Sequence, residues 1–446
     1  MRPRQAAVMT TLWQELQAEF DQLDEQFTRP SQARYTTSDC LRRLFSMFHL
    51  RRPNLYRYEL DIRTDPGLRG TIQRLFGWRQ IPSDTTIRRV LDRMPPEALV
   101  PCFEAVLGWV QRQKLFEDFR SPLDGGLLLA IDGTHGLSSP TIHCSSCLVK
   151  QHRPLDPDDA DELPRRTYYH QPLGAALVSP RRALVLPLFP EAMAGAAADG
   201  VQDNELKAAH RWLPKFRRRH PHLQLLALGD ALYFNQPFLQ QLSAHNLQYM
   251  IRAKAGNRQQ ETVYQAASGE DWQRGVQQPD RWYRWLAQQS LKATHPEFKV
   301  NVLQECDAQG KITEWVTNRE LTVAQLEPAA GEARLRWPIE NGCFRTLKNL
   351  QGPHFEHNHG HGKLHLANLI SCLAMLQQLV EQVSERLCQR YQAALVGSDT
   401  KVKQRRPKVH VWEVQMRVLA GYQISTWEEV YDLLARPRPA VPIPET

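Results

Sequence analysis

Two short apolar runs, each stopping at an aspartate, constrain this chain more than any other feature. Leu127-Leu128-Leu129-Ala130-Ile131 leads into Asp132-Gly133-Thr134, and Leu223-Gln224-Leu225-Leu226-Ala227-Leu228-Gly229 leads into Asp230. Runs this short and this apolar read as strands buried on both faces. Each therefore delivers a carboxylate at the end of a core strand, and acids so distant in the chain meet only if a sheet brings them together. Residues 174–178 and 183–187, separated by Ser179-Pro180-Arg181, predict an antiparallel pair. Residues 203–213 and 235–244 read as helices and 247–251 as a further strand. This order predicts an α/β chain with a mixed sheet flanked by helices.

Around that core the rhythm changes. Residues 1–120 read as a helical N-terminal module, either a DNA-binding unit or a plain bundle with a basic face. In it, 37–50 gathers Leu41, Leu44, Phe45 and Phe48 on one side, and 85–91 follows candidate caps at Ser83 and Asp84, with Arg88 and Arg89 alongside. Residues 121–254 form the first part of the core and 255–330 a strand-rich insertion, with alternating segments at 299–303 and 312–316 and several tryptophans. Trp282, Trp285 and Trp315 suit either core packing or stacking on an unpaired base. The core resumes over 331–390, where apolar residues from Leu366 to Val383 recur at helical spacing. That stripe predicts packing against the sheet, with a dimer seam as the alternative. A basic region, 391–446, follows, with one last helix at 426–434 and a frayed end from Arg436.

With 446 residues, 42% of them hydrophobic, the chain can bury one substantial core and smaller modules. Its net charge of +8 and pI near 9.1 predict a polyanionic partner. The excess is concentrated in 211–219 and in the run Lys401, Lys403, Arg405, Arg406, Lys408. Eight scattered cysteines argue against a disulfide scaffold and for a reducing compartment. The first residues mix charges among short apolar stretches, unlike a secretion signal, and no stretch reads as the roughly 20 apolar residues of a membrane span. The expected setting is cytoplasmic and DNA-associated, with no membrane partner.

Two strand-terminal aspartates suit phosphoryl transfer, in which two divalent cations roughly 4 Å apart need hard oxygen ligands on rigid supports. Glu340 is the natural third ligand. Helical spacing puts Arg336, Glu340 and Phe344 in one row, with Lys348 a turn on and Ile339, Cys343 and Leu347 in the neighbouring apolar stripe. An ordinary surface salt-bridge row has the same pattern.

Three motifs now stand in order: Ala130-Ile131-Asp132-Gly133-Thr134, Ala227-Leu228-Gly229-Asp230-Ala231-Leu232-Tyr233, and Arg336-Trp337-Pro338-Ile339-Glu340-Asn341 with Phe344-Arg345-Thr346-Leu347-Lys348-Asn349. Over about residues 125–385 the chain resembles the insertion-sequence transposases of the DDE superfamily. The resemblance implies a ribonuclease-H-like catalytic domain and ligation of two Mg²⁺ or Mn²⁺ ions by Asp132, Asp230 and Glu340. It also implies DNA contacts from Arg336 and Lys348. The partners it implies are double-stranded DNA, namely the terminal inverted repeats of the element and the target, with a homodimer on DNA as one assembly. The reaction is end cleavage followed by attack of the new 3′-hydroxyl on target DNA. Two other readings stay open: a metal-dependent nuclease that cuts without joining, and a transposase-derived DNA-binding protein without catalysis.

A separate cluster, His143, Cys144, Cys147 and His152, has zinc-type donors. Four ligands within ten residues would make a cramped closed site. The expectation is instead a strand–turn element with a cysteine packed and the histidines exposed, and zinc is the minority reading. The histidines between 354 and 365, with Gly360 and Gly362 among them, suit metal binding, DNA contact or a cleft rim equally.

Overall fold

The computed structural model describes residues 8–27, 34–152, 165–195, 201–253, 273–274, 280–291, 295–348, 355–356, 359–396 and 406–436. The first aspartate run becomes β1 (Leu127–Gly133), an interior strand of a ten-stranded sheet. On one side it pairs antiparallel with β5 (Pro172–Val178), Asp132 facing Gly174. On the other it pairs parallel with β8 (Leu225–Gly229), the second aspartate run. Strand β6 (Val185–Pro187) flanks β5, and β9 (Gln248–Ala253) runs parallel to β8. The order β6-β5-β1-β8-β9, one antiparallel arm beside parallel strands with helices over it, is a ribonuclease-H-like fold. Leu127 to Ile131 and Leu225 to Leu228 are buried, as strands with a neighbour on each edge and a layer on each face must be.

Strand β9 also pairs antiparallel with β13 (Ile312–Thr317), which continues the sheet through β12 (Lys299–Cys306), β11 (Trp282–Ser290) and β10 (Gln273–Arg274). The strands of the 255–330 stretch thus extend the core sheet. Buried Arg319 locks them on, pairing with Glu332 at 2.8 Å and with Asp124, just before β1, at 2.9 Å. Trp285 and Trp315 are buried on these strands, which assigns them to packing. The remaining strands make small elements. Ser138–Ser139 (β2), Leu148–Gln151 (β3) and Arg166–Tyr169 (β4) form a separate three-stranded sheet, and Glu191–Ala192 (β7) pairs with β5.

Among the described residues six α-helices precede the sheet: α1 (Val8–Phe27), α2 (Thr37–His49), α3 (Leu55–Thr64), α4 (Pro66–Phe76), α5 (Asp84–Leu91) and α6 (Val100–Arg112). Their starts follow side-chain caps: Thr36, Asn54, Asp65 and Ser83 each accept a backbone N–H from the first turn of α2, α3, α4 and α5. Within the sheet domain, Asn204 and Asn235 do the same for α7 (Glu205–Arg219) and α8 (Gln236–Ala244). The last helix, Trp427–Ala435, starts at a Thr426/Glu429 capping box and returns to the N-terminal module. There Trp427 stacks edge-on against Phe76 at 5.2 Å, and Thr10 donates to Glu428 at 2.5 Å.

The Leu366–Leu387 helix differs most from its sequence pattern. It is long and apolar enough to cross a membrane, yet 94% of its most apolar window is buried inside the protein. Its polar side is buried too. Glu381 ion-pairs with Arg51 after α2, Gln377 accepts from Arg51 at 3.2 Å, and Gln382 accepts from the Val185 backbone at 3.3 Å. One side meets the sheet and the other the helical module, so the apolar stripe is consumed within the chain and leaves no dimer seam.

Candidate functional site

Because β1 and β8 are parallel neighbours, Asp132 and Asp230 emerge at the same end of the sheet. Asp230 accepts the Leu232 N–H at 2.8 Å, capping the turn Ala231–Tyr233. Glu340 arrives on a π-helical turn, Ile339–Phe344, that continues into a short α-helix, Arg345–Lys348. The pairing predicted from i,i+4 spacing is present: Arg336 donates to Glu340. The same Arg336 Nη1 donates to Asp132 Oδ2 at 3.2 Å. The wide turn also lays the Phe344 ring over Gly174, where a Cβ would stand 2.6 Å from it. Beside these groups opens a cleft of about 550 Å³ lined by Asp132, Thr134, His135, Glu340, Arg345 and Lys348.

The carboxylates feel one another. Asp132 is pushed up to about 8, first by burial and then by Glu205 and Glu340, with Arg336 opposing. Glu205 also lies above the usual carboxylate range through burial and through Asp230, although Tyr233 and the Gly133 N–H donate to it. The Tyr233 hydroxyl reaches it at 2.7 Å, and a Cβ on Gly133 would stand 2.2 Å from its carboxylate. Glu205 is thus a fourth acid against the aspartates that the sequence reading missed. Its only local signal was an acid in the first turn behind the Asn204 cap, which many helices share.

The structure disperses the basic candidates. Lys348 lines the cleft and lies 3.2 Å from Glu356. Lys408 pairs with Glu385 and Arg406 donates to the Leu434 carbonyl at 3.1 Å, while Lys401, Lys403 and Arg405 lie outside the described residues. In the 211–219 run, Arg211 pairs with Asp203 and Glu191, Lys215 with Glu191, and Arg219 with Glu104, and Arg217 donates to the backbone. Arg218 is left exposed. Most of this run serves the fold.

The expectation against zinc is overturned. Cys144, Cys147, His170 and His361 bring four ligand atoms within 4.8 Å of one another. The two cysteines were anticipated, and His361 belongs to the histidine cluster read separately as suiting metal binding, but His170 was missed and so was the union of the two groups. His143 stacks on Tyr168 at 4.5 Å, and His152 hydrogen-bonds Thr167 at 2.8 Å, so neither joins the cluster. The true partners come from the end of β4 and from the loop before the Leu366–Leu387 helix, which relieves the crowding that a local site would have suffered. A hydrogen bond from Cys147 drives the Cys144 thiol down, and the shared proton holds the Cys147 thiol up. Among the described residues this is the one grouping of three or more His, Cys, Asp or Glu close enough to hold an ion. Asp132, Asp230 and Glu340 do not form a second, with Arg336 lodged between two of them.

Of the histidine-rich loop, His354 and His357 lie outside the described residues, and His359 packs edge-on against Phe48 at 5.4 Å. Gly362, at φ +70°, lies where a Cβ would be 2.2 Å from Asp92. Asp92 accepts the N–H groups of Lys363, Leu364, His365 and Leu366 at 2.9–3.1 Å. Burial would raise this carboxyl, but those four donors hold it below its ordinary value.

The architecture is that of the ribonuclease-H-like class. No family model matches the chain, and no curated protein does. Among solved structures it is similar to the piggyBac transposase in its synaptic complex with hairpin DNA. The identity is 10% and the TM-score 0.42, over 97% of this chain and 80% of that one. At that identity and score the likeness says nothing about activity.

Proposed function

We propose that the protein is a DNA transposase of the DDE type that cuts the ends of its own element and joins them to target DNA. The observation that carries this is the delivery of Asp132 and Asp230 by adjacent parallel strands to one sheet end, with Glu340 brought to Asp132 through their common Arg336. Three motifs in order support it. The donor set suits hard cations, being all oxygen and carried on rigid supports. Asp132, Asp230 and Glu340 would hold Mg²⁺ or Mn²⁺, which when bound supplies activation of the attacking hydroxyl and stabilisation of the leaving oxygen. Arg345 and Lys348 bind phosphates along the cleft, Arg336 does so from beside Asp132 and Glu340, and the helical module contributes affinity for duplex DNA.

A second reading has its own observation. Arg336 already stands between Asp132 and Glu340, donating to both, and the three acids do not approach as metal ligands. That arrangement favours a transposase-derived DNA-binding protein, or a nuclease that does not join. Incubating 3′-labelled element-end duplexes with target DNA and Mg²⁺ separates the three. Cleaved ends and joint molecules, both lost in Asp132→Asn, Asp230→Asn and Glu340→Gln with DNA binding retained, support the transposase. Cleavage without joints makes it a nuclease, and binding without either leaves only a DNA-binding protein.

A further inference from the structure

We propose that Cys144, Cys147, His170 and His361 form a closed structural Zn²⁺ site that latches the backbone behind Asp132 to the segment following the Glu340 helix. Tetrahedral zinc with bonds of about 2.3 Å to sulfur and about 2.0–2.1 Å to nitrogen sets ligand separations of about 3.8 Å for S···S, 3.5 Å for S···N and 3.4 Å for N···N. The structure has 3.9 Å between the cysteine sulfurs and 3.5 Å from each sulfur to His170 Nε2. Cys147 Sγ lies 3.2 Å from His361 Nε2, and the two Nε2 atoms are 3.4 Å apart.

The imidazole of His170 is set for ligation. Its Nδ1 lies 3.0 Å from Asn368 Oδ1, which can only accept, so the proton sits on Nδ1 and the Nε2 lone pair points into the cluster. Cys147, His170 and His361 are buried and Cys144 is half-buried, so two imidazole nitrogens and the Cys147 sulfur face one another out of water beside the Cys144 sulfur. Two thiolates and two imidazoles select zinc over the hard cations that suit carboxylates. Four protein ligands leave no open position, which makes the site structural.

The latch acts through the backbone. Beyond Asp132, Thr134 N–H donates to Pro172 O at 3.1 Å and Gly136 N–H to His170 O at 2.9 Å, while His170 N–H returns to Leu137 O at 3.0 Å. The strand that carries Asp132 is therefore laddered directly to a ligand. His361 lies on the loop that Asp92 fastens to the helical module. An ion here joins the three-stranded sheet, the wall of the cleft and the start of the Leu366–Leu387 helix.

The test uses the full chain without DNA, so its outcome is independent of the transposase reading. Protein purified from zinc-supplemented cells should carry about one zinc per chain. Cobalt exchanged for it should give the intense visible bands of tetrahedral Co²⁺ with a thiolate charge-transfer band. Alkylation should spare Cys144 and Cys147 until a chelator is added, and the chelator should lower the melting temperature. His361→Asn and His170→Asn should lose the metal, whereas His143→Asn and His152→Asn should keep it. Where a ligand variant fails to fold, the metal content, cobalt spectrum and alkylation pattern of the parent decide. Folded parent without zinc, an octahedral cobalt spectrum, Cys144 and Cys147 alkylated equally with and without chelator, or metal loss in the His143 or His152 variants would overturn the site.

Discussion

Arg336 Nη1 stands 3.2 Å from Asp132 Oδ2 and pairs at the same time with Glu340, so one guanidinium serves two acids from distant parts of the chain. Its carbon also lies 5.1 Å from the centre of the exposed Trp337 ring, which fixes its far side. Pulling this cation away without replacement would leave Glu340 without its ion-pair partner and Asp132 without its donor.

The first consequence is a pH dependence. In the folded protein Asp132 keeps its proton up to about 8, whereas the unfolded chain releases it near the ordinary aspartate value of 3.8. Between those values the folded state holds more protons, so this residue's contribution is fully present below pH 3.8 and is lost as pH rises through 8. Asp132→Asn removes the loss. Its melting temperature should exceed the parent's most above pH 8, and the gap should close toward pH 4. A gap independent of pH would mean that the carboxyl titrates normally.

Gly174 should not tolerate a side chain. A Cβ there meets the Phe344 ring at 2.6 Å, so Gly174→Ala should cost about 1–3 kcal/mol in urea unfolding. Shortening the ring with Phe344→Leu should recover part of that cost in the double variant. Additive effects would show that the two residues do not press on each other.

The buried Arg51–Glu381 pair joins the helical module to the Leu366–Leu387 helix. Burial pushes the Arg51 guanidinium down to about 10, which shows how much solvation it has given up. Breaking the pair with Glu381→Leu should destabilise the protein by about 3–5 kcal/mol, because Arg51 is then stranded. Arg51→Met combined with Glu381→Leu should restore most of it. Equal losses in the single and double variants would show that leaving Arg51 without Glu381 is not what costs stability.

Arg345 and Lys348 line the cleft beside Asp132. Replacing both with glutamine should weaken binding of any duplex and reduce the slope of log affinity against log salt by about two. An unchanged slope would place the phosphate path elsewhere.

Much of the local structure was legible in the sequence because local structure is written in nearest-neighbour chemistry. Apolar runs ending in Asp132 and Asp230 read as strands and are β1, which includes Asp132, and β8, which stops just before Asp230. Asn204, Asn235 and Thr426 begin helices because their side chains satisfy N–H groups that any helix leaves open. Arg336 and Glu340 meet because four residues make roughly one turn, even though the turn widens to a π-helix just after. The Leu366–Leu387 helix was visible, but not that its polar side is buried. Periodicity records which side is apolar, and only a neighbour such as Arg51 can make burial of Glu381 tolerable.

By itself, then, the sequence determined the core strands that end in the two aspartates, the helices beside them, a cap at Ser83 and the Arg336–Glu340 pair. Tertiary structure alone decided that β9 continues into β13 and that Glu205 lies against Asp132. It alone exchanged His143 and His152 for His170 and His361 as partners of the two cysteines. The reason is range. Spacing along the chain encodes contacts within a turn or a hairpin, whereas a Cys-x-x-Cys pair is compatible with any two further donors. Which two arrive depends on the packing free energy of everything between them.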